Sequence, residues 1–172
     1  MANLGKLADQ YGRHIDRLLR CCDRVDGLVA DRSVGETDRD LVYESSFLAL
    51  VAHFESFLEE ILVETVCGEA SRKAGRYRLV GPRSRPHFRE ILYQGRQFVQ
   101  LLPYGEMLRY ARLYLNDGHP FTDVADDQCD LLSQAVKTRN AIAHRSRTAT
   151  VKFRRDVPGV DALPRNRQRP GP

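Results

Sequence analysis

The sequence predicts an all-α fold: an antiparallel bundle of four to five helices, with a basic loop insert at 68–86 and an extended basic tail over 158–172. Two patterns predict it. Apolar residues recur at three- and four-residue steps through most of the chain, which gathers them on one face of an α-helix. Between these stretches stand clusters of Gly, Pro, Asn and Asp, which stop one helix and start another. The chain of 172 residues suffices for one domain with its own core, assigned to 1–157, without disulfides or metals.

The elements follow in order. Leu4, Leu7, Tyr11, Ile15, Leu18, Cys22, Val25 and Val29 describe one long amphipathic helix ending near Asp31. The polar run Asp31 to Glu36 breaks it, and Thr37 or Asp38 is placed to cap the next helix. Phe47, Leu50, Val51, Phe54, Phe57, Leu58 and Ile61 form the strongest stripe in the chain, with Glu44, Glu55, Glu59 and Glu60 on the other face. His53 stands at the edge of that stripe and reads as partly buried and hydrogen-bonded.

From Gly68 to Pro86 the pattern lapses into Gly, Pro, Ser and Arg, a loop excursion with a short extended run at Tyr77 to Val80. Helical spacing resumes in Phe88, Ile91, Leu92 and Phe98, pauses at Pro103 and returns in Met107, Leu108, Ala111, Leu113, Tyr114 and Leu115. Tyr104, Tyr110 and Tyr114 sit at helical spacing and are assigned to packing. Asn116 to Pro120 is a stop followed by a start. Thr122 or Asp123 can cap a helix holding Leu131, Leu132, Ala135, Val136, Ile142 and Ala143, with Asp126 and Asp127 near its positive end. Val151 to Phe153 reads as a short helix. Beyond Pro158 the chain is mostly Pro, Gly, Arg and Asn, the composition of an extended tail, and Arg169-Pro170-Gly171-Pro172 closes no element, as expected of a piece of a longer protein.

Charge is distributed unevenly. Cut at Lys137, the chain has ten Lys or Arg against two Asp on the C-terminal side, but 17 basic and 21 acidic groups before it. Ser71 to Arg96 adds a second basic stretch, with eight Lys or Arg and one acid, Glu90. Clustered cations on an otherwise acidic body point to a polyanion, because phosphates reward them through counterion release. The four cysteines form no Cys-x-x-Cys pair and have no His at zinc-finger spacing, so no metal or other cofactor is expected. The start of the chain lacks a secretory pattern, and His53, Glu55 and Glu59 interrupt the longest apolar region. A cytoplasmic protein with reduced thiols and no membrane partner is the expectation.

The chemistry gathers at Arg139-Asn140-Ala141-Ile142-Ala143-His144-Arg145-Ser146. On a helix Asn140 and His144, four apart, share a face, whereas Arg139 stands roughly 140° from His144. Two copies of the helix in a symmetric pair would bring Arg, Asn and His from both chains around one cleft. Imidazole moves a proton near neutral pH, and a guanidinium grips phosphate with two parallel hydrogen bonds. These are the groups RNA cleavage needs, since the ribose 2′-hydroxyl supplies the nucleophile. A cation at a helix C-terminus is also favourable by about 0.3–1 kcal/mol, which offers His144 a purely structural role instead. No Ser-His-Asp arrangement or Gly-rich phosphate loop competes for the assignment.

The run Lys137-Thr138-Arg139-Asn140-Ala141-Ile142-Ala143-His144-Arg145-Ser146 resembles the Arg-x(4 to 6)-His signature of the HEPN superfamily, helical domains found in many prokaryotic RNases. Leu41 to Val63, with Phe54-Glu55-Ser56-Phe57-Leu58-Glu59-Glu60 at its centre, is similar to the second helix of such domains, in the RiboL-PSP-type branch. The resemblance implies a catalytic Arg139 and His144, a supporting Asn140 and an active homodimer joined through the motif helices. Lys137, Arg145, Ser146, Arg147 and Lys152 flank the motif and are the expected RNA contacts. An endoribonuclease of a toxin–antitoxin or antiviral defence system, held by an antitoxin protein, is one expectation. A non-catalytic module of the same fold that binds a nucleotide, RNA or a protein is the other.

Overall fold

In the computed structural model, which describes residues 2–68, 84–97, 99–144 and 146–160, helical periodicity becomes helix. The elements are α1 (Ala2–Ala30), α2 (Glu36–Cys67), α3 (Arg85–Tyr93), α4 (Tyr104–Tyr114), α5 (Asp126–His144) and α6 (Arg147–Asp156). Two 3-10 turns, Asn116–Gly118 and Phe121–Asp123, lie between α4 and α5, and the described residues contain no strand. The expected loop falls mostly, and the tail largely, outside the described residues, as does the Tyr77 to Val80 run.

Helix ends are set by local chemistry. At the end of α1, Arg32 is left-handed at φ 59°, and the Ser33 and Arg32 N–H groups donate to Leu28 O and Val29 O at 2.9 and 3.0 Å. This paired return satisfies carbonyls that the helix leaves open. The cap of α2 is Gly35 rather than Thr37 or Asp38: Asp38 Oδ2 accepts from the Gly35 N–H at 3.0 Å, reaching back from inside the first turn. Likewise α5 opens at Ala125, whose carbonyl accepts from Gln128 and Cys129, because Thr122 and Asp123 belong to the preceding turn region. Ser84 caps α3, and Pro86 in its first turn has no N–H to leave unpaired.

The chain divides into two compact units, and α1, α2 and α5 each pass from one into the other. The first takes the segment up to Tyr11 together with Phe54–Leu132. Tyr11 stacks on Phe57 with centroids 4.7 Å apart, and Leu62, Val63 and Val66 are fully buried. Phe88 of α3, also fully buried, meets Tyr114 of α4 edge-on at 4.9 Å. A polar ladder fixes α3 to α2. Arg85 Nε lies 2.6 Å from Glu64 Oε1, Arg89 bonds Glu59 and Glu60, and the Tyr93 hydroxyl donates to Glu59 at 2.7 Å. Arg85, Arg89 and Tyr93 are four apart, so one face of α3 carries all three. Glu64 is buried, and a carboxylate there costs stability unless it is paired.

Tyr104 of α4 is buried with its hydroxyl donating to Phe121 O at 3.0 Å. Gly118 has φ +80°, and a Cβ there would come within 3.0 Å of Arg112 Cγ and Thr122 Cγ2, so this turn requires glycine.

The second unit takes Gly12–His53 and the chain from Ser133 onward. Within it α1 and α2 run antiparallel: Tyr43 donates to Asp26 at 2.7 Å, while His14 stacks on His53 at 4.3 Å. His53 is exposed rather than partly buried, because its ring covers His14 instead of turning into the core. Ala141 of α5 packs with Phe153 of α6 and Val160, joined at the edge by Ala149 and Val157. The short helix expected at Val151 to Phe153 is a ten-residue one, extended by its cap at Ser146. All four cysteines carry free thiols, and no helix among the described residues is long and apolar enough to cross a membrane.

Candidate functional site

The motif occupies the last turns of α5. That helix begins with Asp126 and Asp127, anions at the end where the helix dipole favours them, and ends with His144. Ala141 and Ile142 are buried and anchor the turn, while Arg139 and Asn140 are half-buried and His144 is exposed. Ala141 and Ile142 thus face inward, Ala143 and His144 reach the surface, and Arg139 and Asn140 stand between the two.

Arg139 Nη1 donates to Asn140 Oδ1 at 2.9 Å. With its carbonyl oxygen turned to Arg139, Asn140 presents its NH2 group as a donor. Asn140 and His144 share one face of the helix, and the helical path to His144 keeps Arg139 about 140° away around the axis. Arg139 and Asn140 are thus brought together within the chain, and His144 stands one turn beyond them.

The expected RNA contacts divide. Lys137 Nζ pairs with Asp156 Oδ2 at 3.3 Å, so its charge is engaged by α6. Ser146 caps α6, its Oγ accepting from the Ala149 N–H at 3.2 Å. Arg147 and Lys152 are exposed on α6, and Arg145 lies outside the described residues. The Arg155 guanidinium, with Lys137 beside it, holds the Asp156 carboxyl down at about 2, and the pairing raises Arg155 in turn. Among the described residues no three His, Cys, Asp or Glu side chains are grouped to hold a metal ion.

Sequence reasoning missed Asp156 and Arg155. The available signal was Asp156 itself, one of only two acids after Lys137 in a segment otherwise rich in Lys and Arg. Comparison with protein-family models, with curated proteins and with solved structures yields no match.

Proposed function

We propose that the protein is an endoribonuclease that cuts RNA by attack of the ribose 2′-hydroxyl and needs no metal for the step. The observation that carries this reading is the half-buried, hydrogen-bonded Arg139–Asn140 pair one turn before an exposed His144 at the end of α5. In the reaction, a base removes the 2′-hydroxyl proton and the oxygen attacks the adjacent phosphorus. The P–O5′ bond breaks, leaving a 2′,3′-cyclic phosphate and a 5′-hydroxyl that takes up a proton. His144 is the proton carrier, and the Arg139 guanidinium offsets the charge that builds on the phosphorane. Asn140 holds the Arg139 guanidinium in place for that step.

Two proton transfers call for two carriers. A homodimer joined through the α5 helices would supply a second His144 and bring the partner's Arg139 to the face that this chain's geometry withholds from it. In this reading the protein is cytoplasmic and acts in a toxin–antitoxin or antiviral defence system, with an antitoxin protein as its controlling partner. A second reading, a HEPN-like module that binds a nucleotide, RNA or a protein without cutting, draws on the separation of Arg139 and His144 around a single helix.

RNA incubated in chelator with wild type, Arg139→Ala and His144→Ala decides between them. Wild type should leave cyclic phosphate and 5′-hydroxyl ends, and each variant should lose about a hundredfold or more in rate. Equal activity in all three proteins would sink the catalytic assignment.

A further inference from the structure

Asp156 sits in a clamp made by cations of two helices. Arg155 Nε and Nη2 approach its two carboxylate oxygens at 2.5 and 3.1 Å, and Lys137 Nζ lies 3.3 Å from Oδ2. A guanidinium fork closed on both oxygens of one anion is the arrangement arginine also offers a phosphate. The Asp156 side chain is 18% exposed while Arg155 is 69% and Lys137 38%, so the cations remain open to solvent around the anion they hold.

We infer that Lys137 and Arg155 form a phosphate site for the RNA backbone, which Asp156 fills with its own carboxylate until RNA displaces it. The inference rests on the proposed function only for the choice of RNA as the polyanion. Position supports it. Lys137 and His144 are seven apart on α5, which puts them on one face about 10 Å apart along the axis, so the site would take a phosphate flanking the scissile one. Arg155 also continues an exposed stripe of α6 that starts at Arg147 and passes Val151, each four residues on, while Ala149, Phe153 and Val157 face inward. Arg155 and Lys137 hold the Asp156 carboxyl down at about 2, so the anion occupies the two cations across the ordinary pH range.

The test is the affinity of a 2′-O-methyl RNA, which cannot be cleaved, for wild type, Asp156→Asn and the triple variant Lys137→Ala/Arg155→Ala/Asp156→Asn. Asp156→Asn should bind several-fold more tightly, with the slope of log affinity against log salt steeper by about 0.7 for each further phosphate neutralised on the single strand. The triple variant should return to wild-type affinity or below. Wild type, which needs no substitution to report, should show its Arg155 Nε–H resonance move when RNA is added. An unchanged slope and affinity in Asp156→Asn together with an unmoved Arg155 resonance would overturn the site. Displacement of the RNA by inorganic phosphate at equal phosphate concentration would overturn its assignment to a polymer backbone. Binding that responds to Asp156→Asn in a protein that cuts no RNA would remove the nuclease and leave this site. Cutting without that response would do the reverse.

Discussion

The Arg139 guanidinium donates to Asn140, its neighbour in the chain, across 2.9 Å. Successive side chains leave a helix about 100° apart, so this bond holds a long, flexible cation against Asn140 while Arg139 stays about 140° from His144 around the axis. Asn140 thereby steers Arg139, and it does so in a half-buried setting where a hydrogen bond to a charged group contributes more than it would in water.

Asn140→Ala should consequently lower the rate of RNA cleavage while leaving RNA affinity nearly intact. A hydrogen bond to a charged group contributes about 1.5–3 kcal/mol, or roughly ten- to a hundredfold in rate. Single-turnover cleavage against a binding isotherm separates the two effects. A loss carried wholly by affinity would mean that Asn140 contacts RNA directly and does not position Arg139.

Ser146 has a structural use that its place beside the motif concealed. Its Oγ accepts from the Ala149 N–H and opens α6, so Ser146→Ala should cost about 1 kcal/mol and Ser146→Gly only a few tenths. Urea unfolding of the two variants measures the difference. If Ala and Gly were equally stable, the cap would contribute nothing.

The fold was legible where one signal dominated. The apolar stripe from Phe47 to Ile61 lies within α2, and the breaks at Asp31 and Asn116 separate helices as expected. Caps were less legible, because Gly35 and Ala125 work through backbone carbonyls and a carboxylate reaching back, and neither residue type advertises a helix start. The ladder of Arg85, Arg89 and Tyr93 against Glu64, Glu60 and Glu59 joins residues 21 to 34 positions apart. Periodicity assigns such residues to surface faces and says nothing about which two faces meet. The candidate site follows the same division. Arg139, Asn140 and His144 were readable from spacing on one helix, whereas Asp156 became visible only once α6 folded back against α5.

Phe153 holds that return. It is buried at 9% exposure against Ala141, which lies inside the motif itself. Phe153→Ala should cost about 3–5 kcal/mol, and Phe153→Leu less, because leucine fills more of the space. Thermal unfolding gives the order, and RNA cleavage at a temperature where both remain folded should fall in the same order. A Phe153→Ala variant as stable as wild type would contradict the packing of α6 on α5.

Tyr104 makes an alkaline prediction. Burial pushes its phenol from 10.0 up to about 12, while in the unfolded chain it would titrate near the lower value. Between these two pH values the unfolded state releases the proton first, so the folded state binds more protons and stability falls as pH rises. The contribution, on the order of 2 kcal/mol, is fully present below pH 10 and is lost as pH climbs through about 12. Tyr104→Phe has no proton to lose. It also gives up the bond to Phe121 O, so it should be less stable than wild type at pH 8, by about 1 kcal/mol, and should lose less stability than wild type from pH 9.5 to 11.5. Urea midpoints across that range decide the matter: parallel pH profiles for the two proteins would mean that Tyr104 ionises as easily folded as unfolded.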